Sequence, residues 1–202
     1  MSISLLSAVP DSSKVPVLIG LAGILFWSLV ERGFYAVKLR QTRGTSGDRG
    51  SLWLLTISWY GAVIFSLLDA VLLRRSTIRD AYSALQFVGV PFVALGLVAR
   101  VWARLTLREA FSPVVQTTES HQLVTTGIYG VIRHPAYLGT LSLLLGFPVC
   151  FGSLGGLGAA LIVGIPALVY RIRVEEQALR EWFGAEYDEY SETTSRLIPY
   201  MW

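Results

Sequence analysis

Long apolar runs alternate with short charged interruptions along this chain, and the lengths of the runs set the architecture. Val15 to Val30 carries no charge, and beyond the Glu31–Arg32 pair the sequence stays apolar from Gly33 to Val37. Gly50 to Leu68 is uncharged, with only Asp69 before Ala70 to Leu73, and Ala81 to Ala99 is uncharged again. A helix needs roughly 20 predominantly apolar residues to cross the hydrocarbon of a bilayer, so each run predicts a span. Pro135 to Tyr170 is also without charge. As one helix it would be about 54 Å long, against a hydrocarbon core of roughly 30 Å. Its middle, Phe151 to Gly158, is dense in glycine and favours a turn. The pattern predicts a helical hairpin with two short arms, whose Gly and Ala let backbones approach closely. Five spans result.

The tail from Arg171 is the clearly polar section. Leu179, Trp182 and Phe183 share one face, with Glu176, Arg180 and Glu181 elsewhere on the turn, as in an amphipathic helix leaving a membrane. Gly184 is placed to end it, and Tyr187, Tyr190, Tyr200 and Trp202 suit an interfacial belt.

Composition agrees. The 202 residues are 53% hydrophobic and 15% charged, with a mean hydropathy of +0.54. Soluble domains carry roughly 25% charged residues. The expected fold class is therefore an all-α integral membrane protein, one membrane domain over residues 1–202. A three-helix part covers 15–110 and a second part, carrying the candidate chemistry, covers 111–199. A single Cys150 leaves no internal disulfide, and two His with one Cys make no ordinary zinc site. The net charge of +3 gives no reason to expect a nucleic-acid partner. With the N-terminus outside, the inner loops and tail hold thirteen of the seventeen basic residues, Arg32, Arg100, Arg133 and Arg171 among them. The outer side holds Lys14, Arg74, Arg75 and Arg79. The bias predicts a cytoplasmic C-terminus. No basic stretch leads directly into an apolar core at the start, so no cleaved signal peptide is expected.

Two segments are richer in chemistry than membrane packing requires. Gln116 to Gly139 contains both histidines, His121 and His134, and sets Arg133-His134-Pro135 at the mouth of the hairpin, where Pro suits a first helical turn. Arg171 to Glu176 lies at the hairpin's other end. A tight hairpin brings residues 133–137 and 171–176 together at one membrane face. Each residue alone has a plainer reading. Arg133, Arg171 and Arg173 serve equally as inner-side anchors, Arg171–Glu175 as an exposed i, i+4 pair, His134 as a partner of a backbone carbonyl, and Tyr129 and Tyr137 as belt residues. Convergence favours a site, because ionisable groups at a membrane boundary are costly unless paired or functional.

The pattern Gly127-x-Tyr129-x-x-x-Arg133-His134-Pro135-x-Tyr137-x-Gly139, with Arg171-x-x-x-Glu175-Glu176-x-x-Leu179 and Phe183-Gly184-x-Glu186-Tyr187-x-x-Tyr190, resembles the isoprenylcysteine carboxyl methyltransferase family, whose wider circle includes phospholipid N-methyltransferases. The resemblance covers about Phe111 to Pro199 and makes the second part of the chain methyltransferase-like, with a cofactor pocket. It implies S-adenosyl-L-methionine as cofactor. The implied contacts are Gln116, His121, Gln122, Leu123, Val124, Tyr129, His134, Pro135, Ala136 and Tyr137, with Glu175 facing the positive end of the cofactor. Arg171 resembles the arginine that orients the methyl acceptor. The loop between Gln116 and His121 is shorter than in eukaryotic members, and those members have more spans.

The residues also speak to the acceptor. A carboxylate, with a pKa near 3.5, is an anion at neutral pH and needs no general base. An Arg fork holds it bidentately. Arg171 and Arg173 with no dedicated base fit O-methylation of a prenylcysteine-type carboxylate at the inner face, the partners being a lipophilic or lipidated substrate and membrane lipid. The alternatives are N-methylation of a phosphatidylethanolamine-type amine, NADPH chemistry of the kind in membrane sterol reductases with a similar hairpin, and a scaffold without turnover.

Overall fold

A computed structural model of the chain describes residues 9, 11–38, 50–73, 80–107 and 123–199. They form seven α-helices: α1 (Lys14–Lys38), α2 (Ser51–Leu68), α3 (Gly89–Leu107), α4 (Pro135–Cys150), α5 (Leu154–Ala159), α6 (Ile165–Phe183) and α7 (Ala185–Thr193). α2 runs on into a π-helical turn over Asp69–Leu73, and α3 is entered through 3-10 helix from Asp80. A second π turn, Ala160–Gly164, joins α5 to α6 without a break. Ile132 and Ser195 pair in one parallel bridge.

Four helices are long and apolar enough to cross a membrane: Asp11–Glu31, Ser51–Leu73, Ser83–Leu107 and Leu154–Phe183. Pro135–Cys150 is apolar but shorter. The hairpin therefore has unequal arms where two short ones were expected. α4, at 16 residues, is about 24 Å long, whereas the 30-residue second arm is about 45 Å. The second arm continues because Arg171 to Phe183 contains strong helix formers and no Gly or Pro before Gly184, which ends it at φ 55°. Arg171 sits about 26 Å along that arm, near the boundary of a hydrocarbon core.

The bend is also tighter than the glycine run suggests. Only Phe151 to Ser153 turns, with Gly152 at φ +66°. Gly155, Gly156 and Gly158 are helical, and a Cβ on Gly156 would sit 1.9 Å from Ser66 Oγ, so glycine there lets α5 lie against α2. Ser153 Oγ holds the bend: it accepts from Gly156 N at 3.0 Å and donates to buried Asp69 Oδ2 at 2.8 Å.

α4 lies at the centre and packs most extensively on α3, not on its own hairpin partner. The seam is made of glycines seven residues apart on each helix. A Cβ on Gly96 would meet Gly139 O at 2.9 Å, and one on Gly89 would meet Gly146 O at 2.7 Å. Close backbone approach replaces the hydrophobic driving force that lipid cannot supply. Phe147, Leu143, Leu144 and Phe151 fill the interior with Trp27 and Trp59, whose rings stack at 5.4 Å. Large apolar side chains such as Trp53, Ile57 and Ile162 point outward, as lipid-facing positions do.

Candidate functional site

The C-terminal halves of α1 and α3 meet the starts of α2 and α4 and the middle of α6 at one end of the bundle. Polar contacts between them fix this arrangement. Glu31 on α1 is buried and accepts from Arg100 Nη2 and Arg104 Nη2 on α3, each at 2.5 Å. Arg100 also donates to Thr140 Oγ1 and, at 3.3 Å, to Ala136 O on α4. Its guanidinium lies 4.0 Å over the Trp27 ring. This triad braces the first turn of α4 from behind.

In front of that turn, residues from both hairpin arms converge. Arg171, 1% exposed, donates through Nε to the Tyr137 hydroxyl at 2.9 Å and through Nη1 to Ser51 Oγ at 2.8 Å. The Tyr137 hydroxyl donates in turn to Glu175 Oε2, which lies 3.9 Å from Arg171 Nε. The Glu175 side chain is 30% exposed, so this carboxylate faces outward from a buried base. The His134 and Tyr137 rings lie 5.6 Å apart. Pro135 occupies the first position of α4, and the His134 carbonyl accepts from the Tyr137 and Leu138 amides.

Glu176 does different work from its neighbour. It is buried and accepts from Arg196 Nε at 3.0 Å on both oxygens and from Arg133 Nε at 3.3 Å. His134 Nε2 lies 3.4 Å from Glu176 Oε1 without the alignment of a hydrogen bond. Arg133 Nη1 donates to Ser191 O at 2.7 Å and to Thr194 O. Arg133 is thus a fastener between the hairpin mouth and the tail, which the sequence alone left open. Arg173, also left open, is exposed on α6.

Tyr129 is buried in a short 3-10 turn, Gly127–Gly130, and its carbonyl accepts from the Tyr190 hydroxyl at 2.8 Å. Burial pushes the Tyr190 phenol up to about 12, and burial also raises Tyr129 and Tyr187. All three stay neutral at physiological pH. Leu123 and Val124 are half-buried ahead of this turn. Of the expected cofactor contacts, Tyr129, His134, Pro135, Ala136, Tyr137 and Glu175 lie at this end of the bundle with Arg171. Gln116, His121 and Gln122 lie outside the described residues.

The expectations missed Ser51, the Glu31–Arg100–Arg104 triad and the role of Arg196. The triad had a signal: Glu31 is the sole acid within a long apolar run, and Arg100 and Arg104 stand at i, i+4 on α3. Ser51 and Arg196 had none, because each contact spans a long stretch of chain.

The site fits a ligand that combines a cationic centre with a flat ring. Glu175 offers a part-exposed carboxylate, and Tyr137 an aromatic ring 5.6 Å from that of His134. Among the described residues no group of His, Cys, Asp or Glu could hold a metal ion.

The phospholipid methyltransferase family model matches residues 85–186. That match takes in α3, which the sequence motifs had left in the N-terminal part. A probable protein-S-isoprenylcysteine O-methyltransferase of Oryza sativa subsp. indica is 32% identical over 59% of this chain and 64% of its own length. The protein-S-isoprenylcysteine O-methyltransferase of Saccharomyces cerevisiae is 36% identical over 56% of this chain and 48% of its own. The chain thus spans less than two thirds of these relatives. The structure of a eukaryotic intramembrane Ras methyltransferase, an isoprenylcysteine carboxyl methyltransferase, superposes on 72% of this chain and 52% of its own. The TM-score is 0.57 and the identity 26%.

Proposed function

We propose that this chain, which belongs to the phospholipid methyltransferase family, transfers a methyl group from S-adenosylmethionine to the carboxylate of a prenylcysteine-type lipophilic acceptor. The observation that carries the reading is the chain of contacts Arg171–Tyr137–Glu175 at the mouth of the hairpin, with a buried cation at one end and a part-exposed carboxylate at the other.

When bound, the donor supplies a methyl group on a cationic sulfur, already activated for displacement. The protein's task is position and field. Glu175 balances the positive charge of the donor, and the His134 ring, 5.6 Å from that of Tyr137, lies beside it. Tyr129, Pro135, Ala136 and Tyr137 form the pocket walls, with Leu123 and Val124 at the edge, and the resemblance adds Gln116, His121 and Gln122 as donor contacts. Arg171 supplies the fixed positive charge that orients an acceptor carboxylate. Tyr137 keeps the two ends in register, because its hydroxyl accepts from the arginine and donates to the glutamate. A carboxylate acceptor arrives deprotonated, so no residue need remove a proton.

The placement of the site suits its two ligands. Arg171 stands near the end of the hydrocarbon, where a lipid tail enters sideways between helices and a polar nucleoside enters from water. We assign that aqueous side to the cytoplasm from the basic residues around it.

The test uses the full chain in lipid nanodiscs with radiolabelled S-adenosylmethionine and two acceptors, a farnesylated cysteine analogue and phosphatidylethanolamine. Base-labile label on the first is the expected result. Base-stable label on the second would replace this reading with amine methylation. Calorimetric binding of NADPH without S-adenosylhomocysteine would replace it with reductase chemistry.

A further inference from the structure

We propose that the C-terminal strap, residues 194–197, is a working part of the donor site: through Arg196 it fixes the Arg133–His134 turn and so sets affinity for the methyl donor. The inference rests on the reading given above for the pocket beside His134.

The turn has little local support. It precedes α4, whose N-terminus lacks a side-chain cap, and its conformation is set from the far end of the chain. The Arg133 amide donates to Ser195 O at 2.8 Å, the His134 amide to Arg196 O at 3.0 Å, and the Ser195 amide to Val131 O at 3.2 Å. The side chains repeat the link. Arg196 Nε meets both oxygens of Glu176, the same carboxylate that accepts from Arg133 and faces His134 Nε2 at 3.4 Å. Glu176 is 2% exposed, so water cannot replace a partner that leaves. Leu197 pins the strap by burying itself among Leu55, Leu168 and Ile172.

The strap is nonetheless a slender element. The Arg196 side chain is 31% exposed, and beyond the Ile132–Ser195 bridge no sheet continues the pairing among the described residues. Such edges open more readily than the helices they lie on. When the strap lifts, the turn loses two backbone acceptors and Glu176 loses its bifurcated contact. Only the closed fraction then binds donor, and the apparent dissociation constant rises in inverse proportion to that fraction. The rate constant of the loaded, closed enzyme changes far less. Arg196 and Glu176 are therefore positioning residues, and their signature is a shift in affinity.

The experiment compares the full-length chain with Arg196→Ala and Arg196→Lys in nanodiscs. It reads S-adenosylhomocysteine binding by calorimetry, donor KM and kcat with the farnesylated cysteine analogue, and hydrogen exchange of the 131–134 amides. Arg196→Ala should raise the dissociation constant and donor KM about tenfold, from loss of a hydrogen bond to a charged group. It should leave kcat largely in place and speed exchange at Arg133 and His134. Arg196→Lys, which keeps one charged donor, should recover most of the affinity. Faster exchange with unchanged affinity overturns the proposal, and so does a fall in kcat with unchanged affinity. If Arg196→Ala does not fold, Arg196→Gln carries the same comparison. An unmodified chain that binds no S-adenosylhomocysteine defeats the functional reading and the strap's donor role together. Normal binding by that chain, with affinity unmoved in the variants, defeats the strap proposal alone.

Discussion

Arg171 Nε donates to the Tyr137 hydroxyl at 2.9 Å, and this contact joins the two arms of the hairpin where they return to the same end of the bundle. Removing the hydroxyl tests the connection with little change of volume. Tyr137→Phe should lower kcat/KM about 10–100-fold, the worth of a hydrogen bond to a charged group. Initial rates with the farnesylated cysteine analogue check it, and a rate equal to that of the unmodified chain would detach Tyr137 from the chemistry.

Arg171→Ala should abolish transfer while leaving S-adenosylhomocysteine binding largely intact. Arg171→Lys, which keeps the charge but not the fork, should recover only part of the rate. Glu175→Gln should do the opposite and weaken donor binding first. Paired calorimetry and turnover separate the two roles, and loss of donor binding in Arg171→Ala would reverse the assignment.

Glu31 bridges two arginines, and the three side chains are largely buried. Glu31→Ala leaves Arg100 and Arg104 as uncompensated buried charges, so it should cost about 3–5 kcal/mol. Glu31→Gln keeps an acceptor and should cost less. Thermal unfolding in detergent measures both.

Two glycines should respond in opposite directions. A Cβ on Gly139 would lie 2.4 Å from Arg100 Cγ and 2.8 Å from Gly96 O, so Gly139→Leu should destabilise by about 1–3 kcal/mol. Nothing lies within 4 Å of a Cβ on Gly158, and Gly158→Ala should stabilise by about 0.5–1 kcal/mol through the entropy of the unfolded chain. Equal melting points for the two would show that the α3–α4 seam is looser than drawn.

Burial raises the Tyr190 phenol from its ordinary value near 10 to about 12. The folded state holds that proton more tightly than the unfolded state, so this contribution is intact below pH about 10 and fades as pH rises toward about 12. Tyr190→Phe should flatten stability across that window, at the cost of the hydrogen bond to Tyr129 O at neutral pH. Alkaline titration of melting temperature checks both effects.

The helical membrane class was legible in the sequence because it depends on run length, and run length is a local property. The hairpin was legible for the same reason: 36 uncharged residues cannot be one span, and the bend must lie near the glycines. Its details were not. Gly155 to Gly158 reads as turn by composition, yet it is helical, and glycine at 156 serves instead to let α5 lie against Ser66 of α2. Arg171 to Phe183 reads as a separate amphipathic element, yet it prolongs the hairpin's second arm, since nothing before Gly184 stops it.

The amino-acid order alone determined that this chain is an all-helical membrane protein, and that charged residues from both hairpin arms stand at one end. Which charge does what was decided only in three dimensions. Glu175 and Glu176 are adjacent in sequence, but successive helix positions point about 100° apart. One faces Tyr137, and the other faces Arg133 and Arg196. Arg133 became a fastener to the tail, and Arg171 a partner of Tyr137 and Ser51, only when the tail and the start of α2 came to rest against them. Contacts across 58 and 120 residues leave no trace in local pattern, because they depend on packing between helices that the chain itself meets only after folding.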